Sequence, residues 1–188
     1  MIDRNKFFAA ARVNPFGGFM TVGQVEGCTA LLDEWEARVA SGQMAGDVRW
    51  LAYMLATAKW ETAHTMQPVE EYGRGAGRPY GRPDPDTGQT YYGRGYVQLT
   101  WKSNYQRMAL ITGADLVKRP ELALDPKVAA QILFEGMGRG MFTGVGLPRY
   151  FGDGVDDPVN ARRIINGTDH ADDIAAIHAA FLAALTGA

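Results

Sequence analysis

Apolar residues recur at helical spacing in several stretches of the chain, and the longest of these is almost continuous. In RWLAYMLATAKWETAHTM, residues 49–66, a rotation of 100° per residue puts Leu51, Met54, Leu55, Ala58, Thr62 and Thr65 on one face. Ala52, Tyr53, Ala56, Trp60 and Ala63 cover much of the other. A helix that is apolar nearly all round is a buried one. Pro68 disfavours α conformation at Gln67, so this helix is expected to end near Met66. Upstream, Thr21 and Gln24 have capping-box spacing, and Val25, Cys28, Leu31, Leu32, Trp35 and Val39 follow as a stripe. Downstream, Ser103 with Gln106 predicts a capping box for a helix ending before Gly113. Asp125-Pro126 opens a helix over KVAAQILFEGM, and Asp157-Pro158 opens another over VNARRIIN with Gly167 as its stop. Asp172 and Asp173 favour the start of a last helix. The expected class is mainly α with little β structure.

Between these helices lies YGRGAGRPYGRPDPDTGQTYYGRGY, residues 72–96, with seven Gly, three Pro and four Arg in 25 residues. A loop of that length inside a compact domain is functional or disordered, and its tyrosines argue against plain disorder. After it, Val97, Leu99 and Trp101 alternate with Tyr96, Gln98 and Thr100, which predicts a short extended segment with its polar set on one side.

Composition narrows the function classes. A chain of 188 residues with 46% hydrophobic content can bury a core, and residues 1–188 are read as one domain or two small lobes sharing a core. A net charge of −2 gives no basic field for nucleic acid. The only cysteine, Cys28, lies on an apolar stripe and is read as a core residue. Three dispersed histidines without HExxH spacing predict no metal and no cofactor. The N-terminal apolar run FFAAA is too short for a signal peptide, and IAAIHAAFLAAL, residues 174–185, falls short of the ~20 residues needed to span a bilayer. Synthesis in the cytoplasm, without membrane insertion, is the expectation.

Within the buried helix stands one carboxylate, Glu61. Lys59, at i−2, does not face it, so the residue lacks a local counter-charge. Burial without a partner disfavours ionisation, which suits a general acid near neutral pH. Periodicity alone equally allows a structural glutamate paired with a distant arginine, Arg94 or Arg162. His64 reads as a polar rim residue. Past Pro68 the chain turns before Glu70 and Glu71, so a second carboxylate is held by a different element. Two carboxylates on separate walls of a cleft are the minimal equipment for glycosidic cleavage. A solvated EE pair in a loop is the plainer alternative.

The stretches WETAHTMQPVEEYGRG and YYGRGYVQLTWKSNY, with FGGFMTVGQVEG, FEGMGRGMFTG and ARRIINGTD, resemble glycoside hydrolase family 19, the chitinase-like family, and within it the phage and prophage endolysins. The resemblance implies a lysozyme-like helical fold of two lobes and an inverting mechanism. It places the general acid on Glu61 and the water-orienting hydroxyl on Thr100. The base falls on the glutamate after the proline, Glu71 directly before Tyr72-Gly73, with Glu70 as the alternative. Extended chain there would turn only one of the two towards the cleft, and Arg74 or Arg78 would help the base to ionise. Gln98, Asn104 and Asn166 match cleft-lining positions, and Tyr91, Tyr92, Tyr96, Trp101 and Tyr105 are candidates for stacking on sugars. Two departures stand out. Trp60 occupies a position that is histidine in many chitinases, and the arginine of the family's last helix is replaced by Asp172 and Asp173.

The leading expectation is therefore an endolysin-type peptidoglycan glycosidase, acting as a monomer on the wall after a separate holin opens the membrane. A chitinase on β-1,4-linked N-acetylglucosamine chains is the alternative within the same chemistry. A catalytically inactive wall-binding protein is a third, which the joint presence of Glu61, Glu71, Gln98 and Thr100 argues against.

Overall fold

In a computed structural model, which describes residues 1–187, the long apolar run becomes the central helix α3, Val48–Glu61. Every residue from Leu51 to Lys59 on it is buried, as an all-round apolar helix requires. The other helices are α1 (Arg4–Val13), α2 (Val22–Ala40), α4 (Lys102–Thr112), α5 (Pro126–Arg139) and α6 (Ala171–Thr186). α3 lies along α6, α6 also packs on α1, and α2 packs on α5. Among the described residues four two-residue strands and four short 3-10 turns accompany the helices: β1 (Val69–Glu70) pairs antiparallel with β2 (Arg94–Gly95), and β3 (Phe151–Gly152) with β4 (Val155–Asp156). The mainly α expectation holds, with the helices in a lysozyme-like arrangement. Cys28 is fully buried and its thiol is pushed up to about 12 by burial, in keeping with a core role.

The caps explain where the pattern worked. Thr21 and Gln24 form the reciprocal box at the start of α2, and the Asp125 carboxylate accepts from the amides of Lys127 and Val128 at 3.0 and 3.1 Å. Elsewhere the structure corrects the expectation. α4 begins one residue after Trp101 with no side-chain cap, so Ser103 lies inside its first turn; Gly113, at φ 73°, ends it as expected. Asp157 does accept from the Asn160 amide at 3.0 Å, but the segment it caps is a 3-10 turn, Asn160–Ile164, and not an α-helix. The run FFAAA belongs to α1, capped by Asp3, which the polar residues around it had obscured.

The most consequential difference is the end of α3. It stops at Glu61, five residues before the expected end, because the Thr62 hydroxyl donates to the Ala58 carbonyl at 2.7 Å and accepts from the Met66 amide at 3.0 Å. Ala63, His64 and Met66 then take positive φ, a turn that Pro68 follows but does not cause. Three contacts lock this turn to α2. Gln24 donates to the His64 carbonyl at 2.9 Å, Gln67 donates to the Gly23 carbonyl at 2.5 Å, and the Met66 carbonyl sits over Gly27, where a Cβ would approach to 1.7 Å. Only glycine fits there, and the contact sets the direction in which the chain leaves Glu61.

Candidate active site

Glu61 occupies the last position of α3, its side chain 15% exposed, at the junction of two cavities. One, of about 350 Å³, is lined by Gln98, Thr100, Trp101, Asn104 and Asn166 among others. The second, of about 380 Å³, includes Trp60, Glu70, Glu71 and Tyr72. Glu61 and Gln98 border both. The structure thus places these residues around two adjoining cavities that meet at Glu61 and Gln98, with Glu70 and Glu71 in one and Thr100, Trp101, Asn104 and Asn166 in the other.

Glu61 is not the unpartnered carboxyl that its sequence suggested. Arg162 Nη1 donates to Glu61 Oε1 at 2.6 Å, and Arg162 Nε donates to the Asp169 carbonyl at 3.0 Å. The Arg162 side chain is only 5% exposed, so the 3-10 turn delivers a fixed guanidinium against the end of α3. Of the two distant arginines that periodicity left open, Arg162 is the partner. Next to Glu61, the Trp60 ring lies 4.7 Å from the His170 ring and 5.9 Å from the His64 ring. The His64 Nδ1 accepts from the buried Lys59 at 2.5 Å, and burial followed by the Lys59 charge holds the imidazole below its ordinary range.

The opposite wall is a hairpin. β1 and β2 pair Glu70 with Arg94, the Glu71 amide donates to the Gly93 carbonyl at 2.7 Å, and the chain folds back so that Arg94 and Leu99 exchange amide bonds at 3.2 and 2.9 Å. The segment after Gly95 is therefore a tight turn with Gln98 at φ 52°, not the extended run that its alternation suggested. Gln98 Nε2 donates to the Val69 carbonyl at 3.1 Å, which fixes its amide at the crest between the cavities. A Cβ on Gly93 would stand 2.7 Å from Gln98 Oε1 and 3.2 Å from Glu71 Cβ, so glycine makes the space that both side chains use. The Asn104 amide donates to the Thr100 carbonyl at 2.9 Å and steadies that residue at the cavity wall.

Both glutamates of the EE pair line the cavity, contrary to the expectation that only one could; the strand ends at Glu70, and Glu71 no longer follows strand alternation. Their partners separate them. Glu70 is engaged by cations and a phenol: Arg74 at 3.0 Å, Arg94 at 3.8 Å and the Tyr92 hydroxyl at 2.7 Å. Glu71 accepts only neutral donors, the Tyr80 hydroxyl on Oε1 at 3.0 Å and the Gly93 amide on Oε2 at 3.0 Å. Arg74 thus serves Glu70 and not the expected base.

The tyrosine expectations need the largest correction. Tyr96 and Tyr105 are fully buried, and Tyr91 and Tyr92 nearly so; Tyr91 and Tyr96 of the Gly-rich hairpin and Tyr105 of α4 turn inward and join the main core. Tyr92 lies 3.6 Å under the Arg94 guanidinium. Of the named aromatics, Trp101 alone is substantially open, at 47%, with its indole at the cavity. Sequence reasoning missed Tyr80, whose ring meets Trp101 edge-on at 5.2 Å while its hydroxyl reaches Glu71. No periodicity marks a tyrosine inside such a loop. Among the described residues no three His, Cys, Asp or Glu side chains are grouped to hold a metal ion, and no helix is long and apolar enough to cross a membrane.

The family model for chitinase class I, glycoside hydrolase family 19, matches residues 4–135. Endochitinase 1 of Theobroma cacao is 42% identical over 48 residues, and endochitinase CH25 of Brassica napus 41% identical over 44 residues. Those segments are 25% and 23% of this chain and only 15% and 14% of the two plant proteins. Among solved structures, chitinase C from Streptomyces griseus HUT6037 superposes with a TM-score of 0.57 at 24% identity, covering 99% of this chain and 92% of that one. A bacterial family 19 chitinase gives 0.55 at 23% identity, covering 94% of each chain.

Proposed function

The chain belongs to glycoside hydrolase family 19, and on that premise we propose that it hydrolyses β-1,4 bonds between N-acetylhexosamines in peptidoglycan, as an endolysin. The observation that carries the chemistry is the single cavity in which Glu61 and Glu71 stand on separate walls with different partners. Glu61 is the general acid. With Arg162 on Oε1 the role no longer follows from an unpartnered carboxyl and rests on the family likeness and the place of Glu61 at the cavity; Oε2 of the protonated form gives its proton to the glycosidic oxygen as the C–O bond breaks, and the guanidinium compensates the charge left behind. Glu71 is the general base. It takes a proton from a water that attacks the anomeric carbon from the opposite face, with Thr100 orienting that water, and inversion requires a carboxyl separation of roughly 6.5–9.5 Å. Gln98, Asn104 and Asn166 bind the sugar amides and hydroxyls, and Trp101 offers a face for a ring. Glu70, already neutralised by its arginines, positions the hairpin.

The peptidoglycan assignment is supported by the likeness of the cleft motifs to endolysins. A chitinase reading has its own support, since each of the relatives above is named as one. Mass spectrometry of fragments released from purified peptidoglycan and from chitin oligomers decides between them. Muropeptides with one defined reducing sugar are expected, whereas chitin fragments alone would transfer the function to chitin. Access to the wall through a separate holin, and action as a monomer, belong to the same proposal.

A further inference from the structure

One backbone step touches both flanks of the acid. Glu61 has Trp60 before it on α3, and Arg162 on its Oε1. The short connection from the 3-10 turn Asn160–Ile164 to α6 meets both of these neighbours. Its Asp169 carbonyl accepts from Arg162 Nε at 3.0 Å. The next residue, His170, lays its ring against Trp60, with centroids 4.7 Å apart and planes inclined by 39°. Trp60 and Glu61 both border the cavity that holds Glu71, so the contact lies directly behind the proposed chemistry.

The local backbone fixes where the His170 ring stands. His170 is the N-cap of α6 and takes φ 56°, in the left-handed region that is uncommon outside glycine. Its carbonyl accepts from the Ile174 amide at 3.1 Å, and its Nδ1 lies 3.2 Å from Asp173 Oδ2 in the first turn of α6. An N-cap ordinarily holds a short polar side chain that accepts from the helix amides, and His170 makes no such bond. Its ring bridges instead from the first turn of α6 to the last turn of α3, two helices that already pack along each other. We propose that His170 is a positioning residue for the general acid: its ring on Trp60 pins the Asp169–His170 step against α3, which keeps the Asp169 carbonyl on Arg162 and the guanidinium on Glu61. The inference rests on Glu61 being the acid and is the same for either polymer.

The test follows reducing-end release from purified peptidoglycan and from chitin oligomers, with rates normalised to the folded fraction. Asparagine tolerates the left-handed region and suits an N-cap, so His170→Asn removes the ring and leaves the turn in place. His170→Phe keeps an aromatic ring. In His170→Asn, kcat is expected to fall about fivefold, the worth of one aromatic contact, with KM within about twofold of wild type; His170→Phe is expected to recover most of kcat. In a Trp60→Ala background the same His170→Asn change is expected to cost less than about twofold, because the ring then has nothing to rest on. Full kcat in His170→Asn, equal losses in the Asn and Phe variants, a change confined to KM, or a loss that persists undiminished without Trp60 would each overturn the proposal. Should Trp60→Ala fail to fold, the contrast between the Asn and Phe variants decides alone. A wild type that releases no reducing ends from either polymer, or a Glu61→Gln variant that keeps its rate, would remove the reading beneath the inference, and both outcomes are seen without any change at His170.

Discussion

Glu61 and Glu71 line one cavity from two kinds of backbone. Glu61 ends a helix buried over nine consecutive residues, and the turn beyond it is bolted to α2 by Gln24, Gln67 and Gly27. Glu71 stands just past a two-residue strand, in a hairpin whose Tyr91 and Tyr96 reach into the same core and whose Arg94 donates to Tyr105 of α4. The first wall holds its carboxyl with one buried cation. The second holds Glu71 with neutral hydrogen-bond donors, and the cations near it go to Glu70 instead. That division fits the roles proposed above, Glu61 as the acid beside a buried cation and Glu71 as a base oriented by neutral donors.

The comparison breaks first at its strongest point. Glu61→Gln leaves the Arg162 contact sterically possible but removes the transferable proton, so lysis is expected to fall about a thousandfold or more, with a loss of thermal stability because the buried Arg162 loses its carboxylate. Activity within tenfold of wild type in a turbidity assay would remove Glu61 from the mechanism. The second wall is tested by its two neighbours. Glu71→Gln is expected to lose about a hundredfold or more, and Glu70→Gln no more than about threefold, since Glu70 only completes a cluster with Arg74, Arg94 and Tyr92. The reverse order would make Glu70 the base.

The difference between the walls also decided what could be read from the chain. The helical wall was legible because burial imposes a period: the stripe from Leu51 to Ala58 and the Asp125 and Thr21 caps are sequence-local features. Its exact end was not, because Thr62 caps α3 through a side-chain bond that competes with the proline signal. The loop wall has no period. Its motif made Glu71, Gln98 and Thr100 visible through resemblance, but the inward Tyr96 and Tyr105 and the outward Trp101 differ only in tertiary context. Arg162 lies 101 residues from Glu61, and no pattern links so distant a pair.

Behind the helical wall, His178 of α6 packs its ring against Tyr53 of α3 at 5.6 Å and Phe151 at 5.2 Å, and its Nδ1 has no partner. Burial pulls its pKa down to about 4; Asp156 and Asp47 oppose the shift, and the Arg49 charge adds to it. A folded value below the unfolded one means that the unfolded chain binds the extra proton. Stability is therefore full above about pH 6.5 and is lost as pH falls towards 4, by about 3 kcal/mol for this group. Denaturant melts of wild type and His178→Met at pH 7 and pH 4 check this, and the variant is expected to lose less on acidification. Identical acid sensitivity would place the weak point elsewhere, in the loop wall.

A small expected effect at Tyr80 is the most discriminating for the loop wall. Tyr80→Phe keeps the ring against Trp101 and removes only the hydroxyl that donates to Glu71. Burial comes first in raising the Tyr80 pKa, followed by the Glu71 hydrogen bond and charge, so the hydroxyl stays protonated and is a dependable donor. With it gone, Glu71 retains the Gly93 amide on its other oxygen, and the carboxylate loses orientation without losing its place. One hydrogen bond to a charged, partly solvated group is worth about 1 kcal/mol, so kcat is expected to fall about fivefold while KM moves less than twofold. A loss as deep as that of Glu71→Gln would mean that the hydroxyl itself takes part in the proton transfer. A change confined to KM would instead mean that Tyr80 acts on the sugar through Trp101, and that the loop wall aims the substrate more than it aims the base.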